Sequence, residues 1–144
     1  MAHAQQNQRA QALKKYFVPR SITHLEWELM HFNLLWQGSY SGDADYLTSF
    51  PVQFDPRTAT FRAFFRVQER REPRDPQTFF SLTRPQRESI LRGAVENFVG
   101  LLGQTFPEVK KVPSLVHVEF KYRSSGGGFT NVAVYENGRL TLSE

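Results

Sequence analysis

His24, Glu28 and His31 are the residues whose types and spacing come nearest to a ligand set. On a helix they fall at i, i+4 and i+7 on one face. Two imidazoles with one carboxylate suit Zn or non-haem Fe, a pattern that would make the chain a metal-dependent enzyme. The spacing departs from H-E-x-x-H, in which the two His stand one turn apart and the Glu beside the first acts as base. If the same stretch is a strand, His24, Glu26 and Glu28 share a face instead. A solvated polar helix face accounts for the three residues equally well.

Arg62, Phe64 and Arg66 recur at period two, so a strand places them side by side on one face, with Lys121 and Arg123 available from a later strand. Arginines for phosphates and an aromatic ring for bases are the parts of a sheet that binds single-stranded nucleic acid. The stretch FRAFFRV does not follow the RNP1 pattern, however. A packed face uses the same residues differently: Phe64 covered by an N-terminal helix or a second subunit, with the Arg stems lying around it.

Two other patterns are weaker. Gly126 to Gly128 could bring backbone N–H groups close to a phosphate, but phosphate loops open onto a helix and carry a G-K-[ST] tail, which this stretch lacks. Ser124, Ser125 and His117 supply a hydroxyl and a base without an acid at any defensible spacing. No catalytic residue and no cofactor-binding signature follows from either.

Charge adds a regional signal. Eighteen Lys and Arg against fourteen Asp and Glu give a formal +4. From Arg57 to Arg92 nine Arg, Arg70 and Arg71 among them, face only Glu69, Glu72, Asp75 and Glu88, a local excess larger than that of the whole chain. Such a segment attracts phosphates or an acidic protein surface, or serves as a solvated connector. The absence of cysteine excludes disulfides, thiolate metal sites and Cys nucleophiles.

The elements that must hold these residues can be read in turn. A chain of 144 residues, 40% apolar and 14% aromatic, is sized for one core. Residues 2–15 are mostly Ala, Gln, Lys and Arg with few apolar positions, and predict helix in an N-terminal extension over 1–20, free to fray, that Pro19 ends. Residues 21–144 form the domain. Within 21–37, Ile22, Leu25, Leu29, Phe32 and Trp36 favour a helix opened by a Thr23–Glu26 capping box. Trp27, Met30, Leu34 and Leu35 lie off that stripe, and the alternation of Thr23, Leu25, Trp27 and Leu29 with polar residues favours a strand. The balance falls to helix.

Tyr46 to Phe54 and Ala59 to Gln68 flank Asp55-Pro56-Arg57-Thr58 and predict an antiparallel hairpin with Phe61, Ala63, Phe65 and Val67 in the core. Residues 69–77, with two prolines and alternating charge, predict an exposed linker. Thr83, Pro85 and Gln86 open a helix over 84–104 that Gly103 and Pro107 close. Val116, Val118, Phe120 and Tyr122 alternate with His117, Glu119, Lys121 and Arg123 as a strand buried on one side, and Asn137-Gly138 predicts a type I′ turn. The sum is an α+β domain: an antiparallel sheet of about five strands in two hairpin regions, with helix 84–104 across one face.

The functional expectation is a non-enzymatic protein-interaction domain, homodimeric. It would offer a sheet face or edge and the Arg-rich segment 57–92 to an acidic or extended partner through Arg62, Phe64, Arg66, Arg70, Arg71, Lys121 and Arg123. Nucleic-acid binding and the His24/Glu28/His31 metal enzyme are the alternatives. No apolar run is long enough for a membrane helix, and no membrane partner is expected. The chain reads as cytoplasmic, or, given Ala2-His3-Ala4, as the mature form of a secreted protein.

Overall fold

The computed structural model describes residues 21–39, 46–69, 78–123 and 127–143. The predicted extension 1–20 and most of the predicted linker, with Arg70 and Arg71, lie outside them, as do Ser124, Ser125 and Gly126.

Helix α1 (Ser21–Ser39) settles the competition between helix and strand. Leu25, Leu29, Phe32 and Trp36 are buried on one side, while Trp27, Met30, Leu34 and Leu35 stand exposed. The apolar residues that blurred the helical period belong to a second stripe of the same helix.

Three strands follow: β1 (Leu47–Ser49), β2 (Gln53–Asp55) and β3 (Thr60–Val67). Both β1 and β2 pair antiparallel with β3, as the hairpin reading required, but they are separate pieces. Pro51 stands between them and has no N–H for the ladder. The pairing slips by one residue there, from Leu47↔Val67 to Gln53↔Arg62. The amide of Asn33 on α1 fills the gap: its Nδ2–H donates to the Val52 carbonyl at 2.9 Å, and Val52 N–H donates to Asn33 Oδ1 at 2.7 Å. In the turn, Asp55 Oδ1 accepts from Arg57 N–H at 2.9 Å.

Helix α2 (Arg84–Thr105) opens on the predicted Thr83 capping box, with the Thr83 hydroxyl accepting from Gln86 N–H and the Gln86 side chain accepting from Thr83 N–H. Leu91, Ala94, Val95, Phe98 and Leu102 form its buried stripe. Gly103 does not close it. That glycine is buried inside the last turn with the Lys110 stem lying over it, and the helix runs on to Thr105. A short α3 (Glu108–Lys111) leads to β4 (Val116–Arg123), β5 (Phe129–Glu136) and β6 (Arg139–Leu142).

The domain is α+β as predicted, but the sheet has six strands and is mixed. β3 stands between β1 and β2 on one side and β4 on the other, followed by β5 and β6. β3 and β4 run parallel, Phe61 beside Val116 through to Val67 beside Tyr122. A hairpin reverses the chain, whereas a helix crossing the sheet returns it to the starting edge, so the strand after α2 runs in the direction of the strand before it. The meander β4–β5–β6 is antiparallel, with Asn137 and Gly138 both at positive φ in its last turn.

Both helices lie on one face of the sheet. Trp36 meets Phe65 edge-on at 6.0 Å and Phe98 at 5.4 Å, and Phe65 stacks on Phe120 at 5.1 Å, so α1, α2, β3 and β4 share one aromatic core. No described element covers the opposite face.

Candidate functional site

The uncovered face carries three rows of side chains, set by strand alternation. β3 contributes Arg62, Phe64 and Arg66, and β4 places His117, Glu119 and Lys121 beside them in register. β5 adds Glu136 opposite His117 and Val134 opposite Glu119. Beyond that point a bulge intervenes: Phe120 faces Ala133 but Lys121 faces Asn131, leaving Val132 unpaired in the ladder. One extra residue reverses the alternation. Phe129 thereby comes to the open face, opposite Arg123, although Ala133 on the same strand is fully buried against the helices.

Phe50 joins from the kink between β1 and β2, held by its N–H to the Phe64 carbonyl at 3.1 Å. The centroids of Phe50 and Phe64 are 4.9 Å apart, and Phe64 meets Phe129 edge-on at 5.7 Å. Phe64 is half-buried between its neighbours, while Phe50 and Phe129 remain open to solvent. Lys121 Nζ stands 5.9 Å from the Phe64 ring centre and the Arg123 guanidinium 5.9 Å from that of Phe129, within reach of a cation–π attraction. These rings line a depression of about 500 Å³ together with Gln53, Arg62, His117, Glu119 and Lys121.

The polar end is tightly paired. His117 Nε2 lies 3.2 Å from Glu119 Oε1 and its Nδ1 lies 3.5 Å from Glu136 Oε2, while Lys121 Nζ is 3.3 Å from Glu119 Oε2. Burial works to raise the Glu119 pKa, but hydrogen bonds from His117 and Lys121 and the charges of both hold it below the ordinary carboxyl value. A second hollow of about 270 Å³ adjoins, where Arg62 and His117 meet the hydroxyls of Thr58, Thr60 and Ser114. Arg62 and Arg66 are exposed and have no ion-pair partner among the described residues.

The structure therefore gathers Arg62, Phe64, Arg66, Lys121 and Arg123, all named from the sequence, onto one face. It adds Phe50, Phe129, His117, Glu119 and Glu136. The strand period implied the placement of His117 and Glu119, but a kink and a bulge decide the facing of Phe50 and Phe129, and period-two counting misses both. His24, Glu28 and His31 stand on α1, on the other side of the sheet. His24 Nε2 is 3.1 Å from Glu28 Oε1, and His31 Nδ1–H donates to the Trp27 carbonyl at 3.0 Å. No three His, Cys, Asp or Glu side chains converge as a metal site requires among the described residues.

Comparison with family models, curated proteins and solved structures gives no match to this chain. Among the described residues no helix is long and apolar enough to cross a membrane.

Proposed function

We propose that the chain is a non-catalytic interaction module whose open sheet face binds an extended acidic segment of a partner protein. The observation that supports this most is an aromatic floor beside cations that have no ion pair among the described residues. Phe50, Phe64 and Phe129 offer ring surface to the apolar side chains of such a segment. Arg62, Arg66 and Arg123 stand around them, and neither Arg62 nor Arg66 has a salt bridge among the described residues. A free guanidinium fork matches a carboxylate in two hydrogen bonds. An extended chain suits the dimensions, since its alternate side chains point to one side as the rows of the sheet do. Arg70 and Arg71 belong to the same cationic segment in sequence.

Glu119 and Glu136 repel the phosphate that a nucleic acid carries at every step along the face, whereas a protein segment can set its acidic residues at Arg62 and Arg66 and apolar ones beside the carboxylates. One observation nevertheless favours single-stranded nucleic acid as a second reading: Phe129 is more than half exposed with Arg123 over its ring, the arrangement of a base-stacking platform.

Fluorescence anisotropy with a labelled peptide that alternates Glu and Leu tests the first reading, and labelled oligo-dT the second. The wild type is expected to bind the peptide, and Arg62→Glu with Arg66→Glu to lose it by about tenfold or more while melting unchanged to within about 1 kcal/mol, as surface changes do. Equal peptide binding by that variant overturns the proposal. Binding of oligo-dT that falls steeply with salt, with no peptide binding, transfers the face to nucleic acid.

A further inference from the structure

The hollow of about 270 Å³ beside Arg62 is built differently from the rest of the open face. It lies where the rows end: Thr60 opens β3, Val116 opens β4 and Glu136 closes β5. No Phe, Tyr or Trp of the described residues lines it. Its walls are hydroxyl-bearing, from Thr58, Thr60 and Ser114, with Arg62 and His117 on the side of the face.

Two features of this hollow work against the fold. Ala59 and Asn137 are the two non-glycine residues at positive φ among those described, at 54° and 53°, and both belong here, Ala59 between the two threonines and Asn137 in the lining. Asn accepts a left-handed backbone readily, whereas the Cβ of Ala crowds the following carbonyl. The bend at Ala59 sets the Thr58 and Thr60 hydroxyls 2.6 Å apart. Alternate residues of a regular strand stand about 6.6 Å apart instead. The second feature is Ser114, whose Oγ is shut off from solvent with no hydrogen-bond partner among the described residues. Such a hydroxyl retains its desolvation penalty. Arg62, at the mouth, has no ion pair among the described residues. Backbone strain and unmet donors gathered in one place are features of a ligand site.

We infer that this hollow holds the free C-terminal carboxylate of the segment bound by the open face, so that the partner is recognised by its chain end. The inference rests on the reading of that face as a surface for an extended acidic segment. Arg62 offers a carboxylate two parallel N–H donors. The Ser114 hydroxyl, turned by one staggered step about χ1, adds a third. Glu136 limits the charge of the ligand: it lines the same hollow, with its Oε2 3.5 Å from His117 Nδ1. The single charge of a carboxylate is matched by Arg62, whereas a phosphate, at about 1.5 to 2 negative charges, carries an excess against Glu136.

The position at the end of the rows favours a chain end over an acidic side chain. Alternate residues of an extended segment advance by the same step as Arg66, Phe64 and Arg62 along β3. A segment running from Arg66 toward Arg62 sets one side chain at Arg66 and the next but one over Phe64. Its following alternate residue reaches the hollow, beyond which β3, β4 and β5 offer no further row. A terminal carboxylate belongs to the backbone itself and needs no residue past that point.

Fluorescence anisotropy with one N-terminally labelled peptide, alternating Glu and Leu and ending in Leu, made as the free acid and as the C-terminal amide, is the test. The wild type is expected to bind the free acid about tenfold more tightly, the scale of hydrogen bonding to one charged group. Arg62→Gln is expected to bring that ratio close to one and Ser114→Ala to reduce it, whereas Arg66→Gln weakens both peptides alike and keeps the ratio. Equal binding of acid and amide by the wild type overturns the inference and leaves the interaction face standing. A ratio that survives Arg62→Gln overturns it too, by placing the carboxylate elsewhere. So does an amide ending in Glu that binds as tightly as the free acid ending in Leu, which assigns the hollow to an acidic side chain. If none of the peptides binds, the reading of the face fails and the inference falls with it.

Discussion

Arg66 on β3 stands directly beside Lys121 on β4, two cations in register on neighbouring strands of the open face. Lys121 turns to the Glu119 carboxylate at 3.3 Å, whereas Arg66 has no ion-pair partner among the described residues. Like charges placed side by side on a sheet disfavour folding, by roughly a few tenths of a kcal/mol at an exposed site. The function proposed for this face gives Arg66 a role in binding an anion rather than in stability.

Arg66→Glu should therefore act in opposite directions on two measurements. It replaces a repulsive neighbour of Lys121 with an attractive one, and the urea midpoint is expected to rise by the equivalent of about 0.5 kcal/mol. Binding of an acidic peptide to the open face is expected to fall. A midpoint that drops by more than about 1 kcal/mol would show that Arg66 is structural, since exposed substitutions without such a role stay well inside that range.

Glu119 gives the face a pH dependence with a definite sign. Its carboxyl lies below the ordinary 4.5: burial raises it, but hydrogen bonds from His117 and Lys121, together with their charges, outweigh that. A folded-state pKa depressed below the unfolded value means that the ionised group contributes stability above the unfolded pKa. The contribution is lost as pH falls through the folded value. Glu119→Gln is expected to be less stable than the wild type at pH 7, and the gap should close as the pH is taken below about 4.5. Urea midpoints of both proteins between pH 7 and pH 3 check this, and a gap constant across that range would refute it.

The Thr83 capping box fixes where α2 begins, satisfying Gln86 N–H and Thr83 N–H in one exchange. Thr83→Ala leaves Gln86 N–H without its side-chain acceptor and is expected to cost about 1 kcal/mol, read from the denaturant midpoint. Thr83→Ser keeps the hydroxyl and should recover most of the loss.

The parts of the fold legible in the sequence were those fixed by local chemistry. Thr83, Pro85 and Gln86 mark a helix start through groups within four residues of one another, and Val116 to Arg123 alternates because only one side of β4 is covered. α1 was harder because apolar residues on two sides weaken the helical period that a single stripe would show. The parallel pairing of β3 and β4 was not legible. It depends on where α2 delivers the chain, and no pattern inside either strand records that. The site divided in the same way: Arg62, Phe64, Arg66, Lys121 and Arg123 follow from alternation along regular strands. Phe129 comes to the face through the bulge at Val132 in the pairing of β4 with β5, and Phe50 through a slip at Pro51.

That slip makes Asn33 the residue on which the joint between α1 and the sheet depends. Pro51 interrupts the ladder, Val52 is 3% exposed, and its N–H and C=O are both met by one side-chain amide at 2.7 and 2.9 Å. Asn33→Ala deprives both backbone groups at once and is expected to cost on the order of 2 kcal/mol, because a polar group left without a partner away from water retains its desolvation penalty. Asn33→Asp separates the two bonds. At pH 7 its carboxylate still accepts from Val52 N–H but sets a second oxygen against the Val52 carbonyl, so the variant should be destabilised. Protonation restores a donor, and part of the loss should return at pH 4. Urea unfolding of both variants at the two pH values reads the difference, with hydrogen exchange of the Val52 amide as the local report. An Asn33→Ala variant within about 0.5 kcal/mol of the wild type would show that water replaces the clamp and that apolar packing alone joins the helix to the sheet.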